Sequence, residues 1–183
     1  MHFYEDLIRL FNACFASEYQ TQLVKGWDEP IYIPKGYTSA SLPVQNYHAI
    51  YFAYGYFSSA LHECAHWFIA GEARRQLVDF GYWYAPDGRT AKQQELFLSV
   101  EVKPQAIEWI LSQAAQYKFQ CSFDNLNGEA IDSQLFKMAV FNQVQEYCSK
   151  GLPKRAAMFR RALCEFYGTS YDLNCQSFEV NCL

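Results

Sequence analysis

Apolar residues Phe3, Leu7, Leu10, Phe11 and Cys14 recur at helical spacing and predict an amphipathic helix that opens the chain. Between Lys25 and Gln45 the pattern is broken by Gly26, Pro30, Pro34, Gly36 and Pro43, which predicts loops around a short strand at "IYI". The aromatic and β-branched run "YHAIYFAY" reads as a strand ended by Gly55. A second helix then begins near Tyr56 or Phe57, with Ser58 and Ser59 close to its start, and stops at Gly71. "ARRQLVDFGYWYAPDGRT" reads as an aromatic-rich strand or extended segment ending in a turn at "PDG".

Helical periodicity returns from Ala91 to Val102. The residue before a proline avoids the α region, so Lys103 is expected to break that helix and Pro104 to start the next, through "QAIEWILSQAAQ". Two further helices fit "DSQLFKMAVFNQVQEYCSK", ended by Gly151, and "PKRAAMFRRALCEFYG", ended by Gly168. No repeat interrupts the pattern. The expectation is one α+β domain over residues 1–183, a small sheet packed with several helices, with the tail from about 169 unassigned.

Composition narrows the class. Half of the 183 residues are hydrophobic, and 15 Phe, 14 Tyr and 4 Trp supply enough apolar mass for one substantial core. A net charge of −4 argues against a domain whose task is to coat a nucleic-acid backbone. The seven cysteines are scattered without a CxxC pair, so zinc-ribbon and thioredoxin-like readings lose their main signal. "MHFYEDLIRLFNACF" lacks a basic region followed by a cleavage site, and no apolar run is long enough to span a bilayer. A cytoplasmic protein with reduced thiols, not associated with membranes, is expected.

The chemistry concentrates in "HECAH", residues 62–66. Residues four apart on an α-helix are separated by about 40° around the axis and about 6 Å along it, so His62 and His66 can aim ring nitrogens at one point. HExxH arises by chance in roughly one chain of this length in a few hundred, so it is moderately specific. The competing reading is an ordinary amphipathic helix, whose core stripe would be Phe57, Leu61, Cys64 and Phe68, with the histidines on a neighbouring face.

Two imidazoles leave a metal under-coordinated, so a third ligand is required. Glu101, set among Leu96, Phe97, Leu98, Val100 and Val102, is the best candidate, because an ionised carboxylate there is costly unless it binds a cation. Glu95 and Glu108 are rivals expected in more solvent-compatible helical positions, and His48 is expected in a structural or supporting role. Two histidines and a carboxylate serve two chemistries. With zinc, Glu63 would be the catalytic base that activates a bound water; with iron(II), the open positions serve dioxygen.

The runs "HECAHWFIAGEARRQLVDFGYWYAPDGR", "VEVKPQAIEW" and "FDNLNG" together are far more specific than HExxH, and they resemble the bacterial elongation factor P hydroxylase family. The likeness is strongest between about Tyr51 and Trp109. It implies hydroxylation of the elongation factor P lysine that already carries a β-lysyl group, with Fe(II) held by His62, His66 and Glu101 and dioxygen as co-substrate. Zinc could replace iron in the purified protein. It also implies a fold similar to that of a bacterial ribosomal-RNA endonuclease family, which keeps a metal-dependent ribonuclease, beside a zinc peptidase, as the alternative function.

A cationic lysyl-lysine chain would favour acidic and aromatic walls, for which Glu63, Asp79, Tyr82, Trp83 and Tyr84 are candidates. Arg74, Arg75 and Arg89 are candidates to meet acidic surface on the protein substrate. The remaining basic cluster, Lys154, Arg155, Arg160 and Arg161, is expected to be a solvated helix face.

Overall fold

Helix α1 (Tyr4–Phe15) buries Leu7, Phe11 and Phe15 completely, and Phe3, just outside its first turn, stays half exposed. In the computed structural model, which describes residues 1–38, 44–82, 88–123 and 133–180, Phe11 and Phe15 pack edge-on against Trp67 at 5.3 and 5.0 Å. Edge-to-face contact of this kind suits the ring quadrupoles and adds to the burial of apolar area.

Three strands follow: β1 (Thr21–Lys25), β2 (Ile31–Ile33) and β3 (His48–Phe52), in the order β1-β3-β2. β1 runs parallel to β3 with Leu23 opposite Ile50, and β2 runs antiparallel with Tyr32 opposite Ile50. Ile50 and Phe52 face the main core, whereas Ala49 and Tyr51 join Ile33 in a small cluster on the other face. Both outer strands have an amide closed by a side chain: Leu23 N–H donates to Asn12 Oδ1 at 2.9 Å and Tyr32 N–H to Asp79 Oδ1 at 2.7 Å. Gly55 turns the chain out of β3 at φ +85°, and a Cβ there would lie 2.9 Å from the Tyr4 ring. Only glycine fits that turn.

Helix α2 (Phe57–Ile69) lies on the sheet, with the expected stripe Phe57, Leu61, Cys64 and Phe68 buried. Helix α3 (Ala91–Ala114) packs beside it and is capped by Thr90, whose hydroxyl accepts from the Gln93 amide. Helices α4 (Ser133–Lys150) and α5 (Lys154–Tyr167) complete the layer, and α5 ends in a left-handed Gly168. The tail is docked: Thr169 donates to the Ala114 carbonyl at 2.7 Å, and buried Phe178 meets Trp109 edge-on at 5.1 Å. This is the α+β architecture expected, five helices and a three-stranded sheet among the described residues.

Three local expectations are corrected. The chain does not break at Lys103: α3 runs through Pro104 as one helix of 24 residues. Proline removes one amide, the partner of the Val100 carbonyl, at a cost of about 3 kcal/mol in a helix interior. Burial on both sides, by Phe97, Leu98 and Glu101 before it and Ala106, Ile107 and Ile110 after it, holds the two halves in line. The segment after α2 is not a strand but two short 3-10 turns, Arg74–Gln76 and Val78–Gly81, with Asp79 and Phe80 at φ +47° and +58°. The expected turn at "PDG" lies largely outside the described residues.

Third, the basic cluster on α5 is not a solvated face. Arg155 Nη2 donates to the carbonyls of Trp67, Phe68 and Ala70 at 2.8, 3.0 and 2.7 Å, closing the C-terminus of α2 with a positive charge. Burial, reinforced by the neighbouring Arg75, lowers its guanidinium to about 10, still charged at neutral pH. Arg160 holds the carbonyls of Ser170, Tyr171 and Asp172, leaving Lys154 and Arg161 as the exposed members. Arg89 is likewise buried, donating to Gln94 Oε1 at 3.1 Å and covering the Phe97 ring, so it does not face a partner's acidic surface.

Candidate metal centre

The histidines of α2 face α3. His62 Nε2 and His66 Nε2 lie 3.0 Å apart, and Glu101 turns Oε2 to the first and Oε1 to the second, each at 3.3 Å. Glu101 is buried, while the two rings keep about a fifth of their side-chain surface open. For metal–ligand bonds of about 2.1 Å, ligand atoms stand about 3.0 Å apart on an octahedral face and about 3.4 Å apart in a tetrahedron. The three spacings fall within that interval, with one Glu101 oxygen turned to each ring.

Glu108, on the same face of α3 two turns beyond Glu101, accepts a hydrogen bond from His62 Nδ1 at 2.8 Å. A proton on Nδ1 leaves the Nε2 lone pair directed at the triangle. Metal-binding imidazoles are commonly fixed in this way, their second nitrogen donating to a carboxylate. Glu108 was expected in a solvent-compatible position and is in fact buried, because α3 is covered on every side from Pro104 to Ser112.

The electrostatics favour a cation. Burial opposes charge on His62, but its hydrogen bonds and attraction to Glu101 and Glu108 raise it well above the ordinary imidazole range. Burial works against ionised Glu101 too, and the charge and hydrogen bonds of His66 and His62 outweigh it, holding the carboxyl well below the usual range. Glu108 and Glu63 go up, burial dominating over the attraction of the histidines. The donor set therefore suits a divalent ion: two imidazole nitrogens, a buried carboxylate, and a second carboxylate behind the first imidazole. Among the described residues no other group of His, Cys, Asp and Glu converges in this way.

Among the described residues, two clefts reach the cluster. One, of about 700 Å³, opens at His66 and is lined by Arg74, Phe80, Tyr82, Lys103 and Tyr147. The other, of about 420 Å³, opens at His62 and is lined by Ser58, Ser59, Glu63, Glu108 and the segment from Tyr117 to Ser122. Gln105 fixes that last wall, donating to the Ser122 carbonyl at 2.7 Å and accepting from the Ser122 amide at 3.1 Å.

The remaining candidates divide between these surfaces and the scaffold. Arg74 stacks over Tyr82 at 4.2 Å and donates to the Phe80 carbonyl, at the edge of the larger cleft. Arg75 turns inward to the Ala70 carbonyl at 2.7 Å. Asp79 holds the Tyr32 amide, and burial raises its carboxyl although His66 opposes the shift. Trp83 and Tyr84 lie outside the described residues. His48 accepts from the Lys35 amide at 3.1 Å and stacks on Tyr32, a structural position. Cys64 is fully buried in the core and takes no part in the cluster.

Fold and site thus define an α+β domain whose central helix pair presents a two-histidine, one-carboxylate face able to hold a metal. The chain matches the model of the elongation factor P hydroxylase family over residues 10–178 and belongs to that family. It is also 56% identical over 182 residues to the elongation factor P lysine hydroxylase of Haemophilus influenzae, covering 100% of this chain and 99% of that protein. No helix among the described residues is long and apolar enough to cross a membrane.

Proposed function

We propose that this protein hydroxylates a lysine side chain of elongation factor P, the substrate being the lysine already extended by a β-lysyl group. The observation that carries the reading is the end-to-end similarity to a relative named for elongation factor P lysine hydroxylation. The cluster supplies the chemical means. His62, His66 and Glu101 would hold Fe(II), which when bound provides the redox chemistry that lets dioxygen attack an unactivated C–H bond.

The chain's own residues do the rest. Glu108 keeps the proton of His62 on Nδ1 and so keeps Nε2 a donor of electrons toward the triangle. Glu101 brings a negative charge that stays ionised in spite of burial. Arg155 and Arg75 anchor the Ala70 carbonyl, fixing the end of the helix that carries both histidines. Site precision depends on this kind of support, since small displacements of reacting groups cost large factors in rate.

The test is intact-mass analysis of β-lysylated elongation factor P after incubation with the protein, Fe(II), dioxygen and a reductant, with His66→Ala in parallel. The expected result is a gain of one oxygen atom with the wild type alone. No gain from a protein that still binds metal overturns the reading in favour of hydrolysis.

A further inference from the structure

The two clefts differ in sign. Among the described residues the larger one carries Arg74 and Lys103 against one exposed acid, Glu72. Among the described residues the smaller one carries Glu63 and Glu108 beside His62, with hydroxyls from Ser58 and Ser59, and one cation, exposed Lys118 at the wall. Glu63 is half-buried at the cleft wall, and no hydrogen bond fixes its carboxylate among the described residues. A carboxylate set in a cleft and free of hydrogen bonds offers an entering ammonium group a charged acceptor.

We propose that the cleft at His62 is the channel for the cationic aminoacyl-lysine chain, with Glu63 as the residue that binds its ammonium group. This rests on the proposed hydroxylation for the identity of the chain, but the recognition is a matter of charge and fit. A volume of about 420 Å³ lies within the ~300–1,000 Å³ typical of pockets for small organic molecules. Opposite charges line the channel and like charges line the alternative, so the sign of the substrate selects the entrance. Glu63 is thereby a specificity residue, separate from the triangle that would hold the metal.

The experiment measures binding of the free isodipeptide of β-lysine and lysine to the full-length, Zn(II)-loaded protein by calorimetry, where no oxidation can occur. Glu63→Gln should weaken binding about tenfold or more, the loss expected for one charge-assisted hydrogen bond. Lys118→Ser, which removes the opposing charge from an exposed position, should tighten it about two- to threefold. Lys103→Glu, in the other cleft, should leave it unchanged. Failure of the wild type to bind overturns the assignment, as does wild-type affinity in both Glu63→Gln and Lys118→Ser, or a change confined to Lys103→Glu.

Hydroxylation of β-lysylated elongation factor P by the same variants separates this inference from the proposed function. Oxygen addition with an unchanged KM in Glu63→Gln leaves the reaction standing and removes the channel. Glu63-dependent binding without any oxygen addition does the reverse.

Discussion

Replacing Glu108 with glutamine keeps the shape behind His62 and removes only the charge. In the wild type the carboxylate accepts from His62 Nδ1 at 2.8 Å in a buried position, so the bond is short, charged and shielded from water. A hydrogen bond of that kind contributes about 1.5–3 kcal/mol, against about 1 kcal/mol for a neutral one. The difference, about 0.5–2 kcal/mol, corresponds to roughly two- to thirtyfold in a binding constant. Glu108→Gln should therefore weaken metal binding about tenfold. Glu108→Ala, which removes the acceptor altogether and frees the ring to turn, should weaken it up to about a hundredfold. The assay is competition for Zn(II) or Fe(II) against a chromophoric chelator, with circular dichroism to verify the fold. Wild-type affinity in both variants would refute the supporting role of Glu108, and a complete loss in Glu108→Gln would make it a ligand instead.

Other expected outcomes follow from the same geometry. His66→Ala and Glu101→Ala should each abolish stoichiometric metal binding and oxygen addition while keeping the helical circular dichroism signal; full activity in either variant excludes that residue as a ligand. Arg155→Met leaves the Trp67 and Phe68 carbonyls without their cation and the Ala70 carbonyl to Arg75 alone, and should destabilise by about 2–4 kcal/mol, lowering Tm by about 5–15 °C; a Tm within 2 °C or so of wild type would show the contact to be unimportant. Gly55→Ala meets the Tyr4 ring at 2.9 Å with φ at +85°, and a cost of about 1–3 kcal/mol should appear in urea unfolding midpoints.

Helix α1 is legible from its amphipathic period alone, and the ends of α2, α4 and α5 from the glycine, proline or polar residues that bound them. The cluster was legible in part for a similar reason: His62 and His66 sit one turn apart beside a separate apolar stripe, and Glu101 stands out among apolar neighbours. Glu108 was not, because "QAIEWILSQ" looks like a helix with one wet face. Only the packing of α3 against α2, α4 and α5 shows that the face is covered. The break expected at Lys103 failed for the same reason, a local steric preference yielding to burial on both sides of Pro104. Strand β1, "TQLVK", escaped notice because its partner β3 lies more than twenty residues further along the chain, and five residues carry no periodicity strong enough to announce it. Arg155 and Arg160 looked like surface charge because the carbonyls they hold are distant in sequence or lie in a tail without pattern.

The two side-chain caps on the outer strands have a bearing on how the protein behaves in a crowded solution. An uncovered strand edge is a template on which another chain can lay its own backbone, the first step toward aggregation. Here Asn12 occupies an outward amide of β1 and Asp79 an outward amide of β2, so a three-stranded sheet that would be open on both flanks offers an incoming strand an interrupted ladder on either side. The same two short polar side chains tie the sheet to α1 and to the turn beyond α2. Solubility and tertiary anchoring thus depend on common atoms, and losing either cap should show as light scattering at high concentration even where α2 and α3 are untouched.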